Sequence, residues 1–443
     1  MSQGGSMRRR QVLGIAGLAV AGVLAGCRGQ DVRDPGADPQ RPAPAGMVLL
    51  GSGENLAETS REPAAQPGDG RPSCTFAGAL ARTLFAQRQG DLLVSPTSLA
   101  LPLAMLANGA KGKTLADLLK ALRYRDLASL NTQLSALQHA LAARNVEIKD
   151  RPRSGEVKLE LTNALWAQQE TPVKQGFLDQ TARWYGAGLH GVDFTDAART
   201  VQQINDWAAE KTHDRIKDLL TQDAVNEDTR LVLTNTVWFK APWAKEFSKQ
   251  GTIPFTKDDG GTTRPEVFKP FTQYWAQGEG WQATALDYLG EELAMAFVLP
   301  GKGAEQALLD EWADVGLHAL LTGWRAADVN LTVPVWKHEQ SLNLVETLKQ
   351  LGITHLFPGQ QVDLTGIREE PLAVSGVVQK TWIAVDEQGT EAAAATAAMV
   401  GATSAEAPRE RHELVLNRPF WYVIFDRQTA TPLFVGRVAN PVP

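Results

Sequence analysis

Val385-Asp386-Glu387-Gln388-Gly389-Thr390-Glu391-Ala392-Ala393-Ala394-Ala395-Thr396-Ala397-Ala398 is the run whose reading decides the fold. Alanine is the best helix former, so propensity alone makes this run a surface helix. Two features oppose that. The run has no apolar stripe for a helix to bury, and strand-like segments flank it on both sides. A segment that is at times a solvated loop and at times a central strand has a reason to be built of small residues. Large apolar groups would aggregate when exposed, and charges could not be buried. In a strand, alternate residues share a face. Thr390, Ala392, Ala394, Thr396 and Ala398 then line one face, all small and buriable, while Glu391 points to the other. Gly389 supplies a hinge without steric cost.

Outward from this run the chain reads as one α+β domain. Phe76, Leu80, Leu84 and Phe85 recur at helical spacing, and Leu99, Leu103 and Leu106 follow a Ser95-Pro96 helix start. Leu115, Leu118, Leu119 and Leu122 mark another helix. Asn205 to Leu220 reads as a further one, with Ile204, Trp207, Ile216 and Leu219 on its apolar side. Strand-like runs cover 157–166, 231–239, 293–299, 329–335, 374–385, 421–425 and 433–438. Helices come first, strands predominate later, and no internal repeat is visible.

The composition, 43% hydrophobic and 21% charged, supports a sizeable core. A net charge of −6 argues against nucleic acid as a partner. HExxH, CxxC, GxSxG and SxxK are all absent, and the seven histidines do not cluster, so no catalytic set, metal or cofactor is expected. Gly112-Lys113-Thr114 imitates the end of a phosphate loop, but Ala107 stands where the opening glycine belongs.

The N-terminus has the anatomy of an export signal. Met7-Arg8-Arg9-Arg10 precedes an apolar stretch from Val12 to Ala25. Leu24-Ala25-Gly26-Cys27 then resembles the bacterial lipobox, in which Cys27 is lipidated and becomes the first mature residue. Arg9-Arg10-Gln11-Val12-Leu13 also weakly resembles a twin-arginine signal, and a plain Sec signal fits at least as well. The expected organisation is a signal peptide over 1–26, lipidated Cys27 with a Pro/Gly-rich spacer over 27–72, and a folded domain over 73–443. The expected location is a membrane-anchored lipoprotein facing the periplasm or the cell exterior, tied to the membrane by its lipid alone. Two cysteines in an exported chain ordinarily pair, but lipidation of Cys27 leaves Cys74 alone.

The run Glu387-Gln388-Gly389-Thr390-Glu391-Ala392-Ala393-Ala394-Ala395-Thr396 resembles the hinge of inhibitory serpins, and the resemblance extends over nearly everything after Pro72. Ser95-Pro96-Thr97-Ser98-Leu99 is similar to the start of that family's buried central helix. Asn163-Ala164-Leu165-Trp166 and Leu233 to Lys240, followed by Trp243, resemble two of its strands. Ile204-Asn205 through Ile216 resembles a helix, and Asn417-Arg418-Pro419-Phe420 and Pro432 to Val438 resemble the closing strands. The resemblance implies three β-sheets, about nine helices, an exposed reactive loop, and a monomer that is not an enzyme. It implies a suicide inhibitor: a serine protease cleaves the loop, is held as an acyl-enzyme, and is disabled when the loop enters the large sheet. It places Glu387 and Trp243 at the breach where insertion begins, and Ser95, Ser98 and Asn235 at the shutter where the sheet opens. The family usually has His where Gln379 stands. The alternative is a non-inhibitory member acting as a binding or chaperone module.

The family's spacing after the hinge glutamate puts the reactive bond at Thr403–Ser404. Counting back from Asn417 puts it near Arg409–Glu410. A strand rises roughly 3.3 Å per residue, so Gly389 to Thr403 spans on the order of 50 Å, about the height of such a domain. Cleavage after Arg409 would add roughly 20 Å of slack and leave the protease dangling. Met399-Val400-Gly401-Ala402-Thr403 is small and uncharged, which suits an elastase- or subtilisin-like target.

Overall fold

The computed structural model describes residues 48–50, 66–149, 153–391 and 409–442. Among these are nine α-helices: α1 Arg71–Gln87, α2 Pro96–Ala107, α3 Gly112–Leu122, α4 Leu127–Ala142, α5 Gln175–Tyr185, α6 Ala197–Lys211, α7 Glu305–Trp312, α8 Gly316–Thr322 and α9 Val345–Gln350. The described strands form three sheets.

The eight-stranded sheet holds β1 Val48–Leu50, β3 Val146–Ile148, β4 Gly155–Gln168, β5 Leu189–Val192, β6 Leu231–Pro242, β15 Trp336–Asn343, β16 Gly376–Val385 and β17 Gly389–Thr390. Its order is β1-β5-β4-β6-β17-β16-β15, with β3 on β4. The ten-stranded sheet runs β2 Leu92–Val94, β20 Thr431–Val438, β19 Phe420–Asp426, β13 Leu293–Pro300, β12 Trp281–Asp287, β11 Phe271–Gly278, β14 Arg325–Pro334, β10 Glu266–Phe268 and β7 Lys249–Thr252. Strand β18, Arg411–Val415, lies on β14. The hairpin β8 Phe255–Thr256 and β9 Thr262–Thr263 is the third sheet.

The central strands of the eight-stranded sheet are buried on both faces, which is why Leu231 to Phe239 reads as a long uncharged run rich in branched residues. Leu231, Leu233, Val237 and Phe239 join the main core, whereas Val232, Ala164 and Trp166 belong to a second cluster with Val201, Ile204 and Trp207 of α6. Alternation along β4 and β6 therefore puts α2 behind the sheet and α6 in front of it. Every residue of α2 is buried, as its apolar composition on all sides requires.

Three expectations are corrected. The spacer assigned to 27–72 contains β1, whose Val48, Leu49 and Leu50 pair antiparallel with Gly191, His190 and Leu189. The open backbone of an edge strand is a ready template, and a three-residue apolar run is enough to pair with it. The domain also starts before Ser73: α1 begins at Arg71, with Pro72 in the first turn, where its missing N–H leaves no bond unmade. The helix expected over 205–220 is α6 shifted N-terminally. It ends at Lys211, and the Thr212 hydroxyl accepts from Ile216 N at 3.0 Å, so Ile216 and Leu219 are buried from a turn.

Candidate functional site

Strands β6 and β16 run parallel and pair directly from Val232↔Gly376 to Val237↔Thr381. Beyond that point they part, and β17 sits in the gap. Thr390 pairs antiparallel with Ala241 on one side and Val385 on the other, and Gly389 pairs with Pro242. Gly389 has φ 154°, and a Cβ there would lie 2.2 Å from the Ala241 carbonyl oxygen. Only glycine fits so close an approach.

The parting is held open by an aromatic floor. Trp243 stacks on Tyr288, with ring centroids 4.6 Å apart at 12°. The Trp243 indole donates to Asp386 O at 2.8 Å, and its backbone N donates to Gln388 O at 2.9 Å. It thus grips the carbonyls of the two residues that flank Glu387. The Asp386 carboxylate accepts from the backbone N of Gln388 and of Gly389, which closes the turn before the inserted strand. Thr390 is fully buried, and its hydroxyl meets the Tyr288 hydroxyl at 2.7 Å. Burial raises the Tyr288 phenol well above its ordinary range, so this is a bond between two neutral hydroxyls.

Arg153 completes this corner. Its guanidinium donates to the carbonyls of Trp243, Lys245 and Gln388, with Glu246 at 3.9 Å. Its flanking sequence carries no periodicity that would single it out. On the front face, Glu391 follows Thr390 with φ 50°, where the described chain leaves the sheet. Its carboxylate accepts from Trp238 Nε1 at 2.6 Å and pairs with Arg215.

Lower down, one row of side chains crosses three strands. Asn163 of β4, Asn235 of β6 and Gln379 of β16 are register partners. Asn235 donates to Asn163, to Ser98 Oγ and to Ser98 O. Gln379 donates to Asn235 Oδ1 and to Ser95 O at 2.9 Å, and accepts from Ser95 N at 2.8 Å. The Ser95 hydroxyl donates to Leu433 O at 2.6 Å, tying the start of α2 to the ten-stranded sheet. Ser95, Ser98, Asn235 and Gln379 lie together in this network, with Asn163 as a fifth member inside a motif read only as strand. Ala392 to Thr396, the bond Thr403–Ser404 and Cys27 lie outside the described residues.

The family model "Serpin (serine protease inhibitor)" matches residues 72–441. The chain belongs to the serpin family. It is 32% identical to the leukocyte elastase inhibitor of Sus scrofa over 372 residues, covering 80% of this chain and 93% of the relative. It is 32% identical to alpha-1-antiproteinase 2 of Equus caballus over 359 residues, covering 79% and 82%. Among solved structures, the thermophilic serpin Tengpin in its native state superposes with a TM-score of 0.76 at 25% identity, covering 89% of this chain and 99% of that one. The family so matched is one of serine protease inhibitors, not of enzymes.

Proposed function

We propose that this serpin traps serine proteases of elastase- or subtilisin-like specificity by inserting its cleaved loop between β6 and β16. The observation that carries the reading is the seating of Gly389–Thr390. The first two residues of a fourth central strand already lie between β6 and β16, paired with both. The offset between these neighbours across Thr390 equals their offset in the direct pairing below. The strand can therefore lengthen without either neighbour slipping. Carried downward, that register brings Thr396 between Asn235 and Gln379, and Met399 between Val232 and Gly376. The residues sent into the core are then Thr390, Ala392, Ala394, Thr396 and Ala398.

In this mechanism the protease serine attacks the Thr403 carbonyl and the Thr403–Ser404 bond breaks. Ser404 leaves as the free amine, and Thr403 stays esterified to the enzyme while the loop zips in. Leukocyte elastase inhibitors among the relatives and the small residues of 399–403 support the target class. The competing bond Arg409–Glu410 adjoins a fixed strand: Glu410 O accepts from Asp328 N at 2.8 Å, and β18 starts at Arg411. A protease cleft that needs extended substrate would have to strip that pairing. Lipidation at Cys27 and export to the periplasm or cell exterior complete the reading, resting on Leu24-Ala25-Gly26-Cys27.

The test is incubation with pancreatic elastase, subtilisin and trypsin, followed by denaturing gels and mass analysis of the released peptide. An SDS-stable complex with a peptide beginning at Ser404 is expected. A complex formed with trypsin alone would move the bond to Arg409. Cleavage by all three without complex would remove the inhibitory reading.

A further inference from the structure

Glu391 is the last described residue before the loop, and its surroundings differ in kind from those of Thr390. The backbone takes a left-handed conformation at φ 50°, which a glutamate adopts only when something holds it there. Three groups do. Trp238 Nε1 donates to one carboxylate oxygen at 2.6 Å, Arg215 Nε pairs with the other, and Glu391 N donates to Ala384 O at 3.0 Å. The carboxylate is only 9% exposed. The Arg215 guanidinium lies 5.2 Å from the Trp382 ring centroid, so the contact also reaches β16. Trp238 and Trp382 are front-face residues of the two strands that must separate. Arg215 comes from the turn after α6, where His213 and Asp214 also have left-handed backbones, at φ 51° and 61°. The His213 ring packs at a tilt of 53° against Trp238, with centroids 4.4 Å apart, and meets Glu160 at 3.1 Å.

The register sets the next step of insertion. One residue beyond Thr390 and Ala241 places Glu391 opposite Lys240, in extended conformation. Glu391 must then leave the left-handed region, and its carboxylate must shift from Arg215 and Trp238 toward Lys240, which now faces Glu156 at 3.9 Å.

We infer that Arg215 and Trp238 are positioning residues that clasp Glu391 and stop the strand at two inserted residues until the loop is cut. This rests on the insertion reading above. The clasp opposes lengthening in the resting protein and sets the rate once cleavage has freed the loop.

The experiment uses the full chain and the variants Arg215→Ala, Arg215→Lys, Trp238→Phe and Glu391→Gln. The loop is nicked with a protease, and the appearance of a heat-resistant form is followed over time, with tryptophan fluorescence in parallel. Arg215→Ala and Glu391→Gln are expected to gain heat resistance about tenfold faster than wild type. Trp238→Phe should be faster by less, Arg215→Lys should lie close to wild type, and a chain carrying both Arg215→Ala and Glu391→Gln should be no faster than either single variant. Unchanged or slower conversion in both Arg215→Ala and Glu391→Gln overturns the clasp, as does acceleration in one without the other. A wild-type chain that never becomes heat-resistant after nicking overturns the insertion reading itself, which separates the two failures.

Discussion

Gln379 and Asn235 face each other across the pairing of β16 with β6, and the Gln379 side chain donates to Asn235 while exchanging two hydrogen bonds with the backbone of Ser95. Both residues are buried. The lock between these two strands is therefore built from neutral amides and hydroxyls, with Asn163 and Ser98 as further members. A carboxamide can donate and accept at once, so Gln serves here without a proton that could leave or arrive.

Gln379→His would put a titratable group in that lock. A buried imidazole with no carboxylate beside it resists protonation, so its folded pKa falls below the unfolded value of about 6.5. The unfolded chain then binds the proton first. Stability is complete above about pH 6.5 and declines as pH falls, by up to about 1.4 kcal/mol per unit. The apparent melting temperature of the variant should drop between pH 7.5 and 5 by more than that of wild type. Parallel profiles for the two proteins would show that position 379 is not sealed from protons.

Thr390→Arg probes the inserted register directly. Thr390 is fully buried against Tyr288 behind the sheet, and an arginine there carries an unpaired charge into the core, at a cost on the order of several kcal/mol. Insertion stalls at its first step, so hydrolysis of the acyl-enzyme wins. Titration against elastase should show the variant cleaved at the wild-type bond, with the stoichiometry of inhibition raised about tenfold or more. Stable complex at wild-type stoichiometry would mean that residue 390 does not enter the core.

The central strand at 231–239 and the buried helix after Ser95-Pro96 were legible because several levels of pattern agreed. The long run rich in branched residues and the Ser-Pro helix start match β6 and α2 as the structure has them. Arg153, Arg215 and Tyr288 were not legible. Each acts through contacts with residues far away in the sequence or from an irregular turn, and such residues leave no period in the sequence. The strand at 48–50 was visible only as three apolar residues, too few to outweigh the Pro/Gly-rich spacer around them. The boundary of α6 was misread because Ile216 and Leu219 continue the helical spacing beyond Thr212 while lying on a turn.

Cys74 is expected to be inert in the folded protein. Its thiol is 1% exposed and donates to Ala430 O at 3.1 Å. Burial, with Asp69 adding to it, pushes the thiol far above its ordinary range, so the reactive thiolate is absent near neutral pH. In a Cys27→Ser chain, an Ellman-type reagent should leave Cys74 unlabelled under native conditions and label it fully in denaturant. Rapid native labelling would show that α1 opens readily from the core.

His190 couples the sheet edge to pH. It lies in β5 opposite Leu49 of β1, stacked on Trp166 at 4.8 Å, with its Nδ1 buried and without a hydrogen-bond partner. Burial, and secondarily the charge of Lys211, lowers its pKa from 6.5 to about 4. Between those two values the unfolded chain holds a proton that the folded chain excludes, so stability rises with pH across that window and is flat on either side. The ceiling on the effect is about 3 kcal/mol, from about 1.36 kcal/mol per unit. His190→Phe keeps the stack on Trp166 and removes the proton. Its melting temperature should therefore fall less than that of wild type between pH 6.5 and 4. If wild type and variant lose stability equally on acidification, His190 is protonated in the folded state at no cost and the edge is wetter than its burial implies.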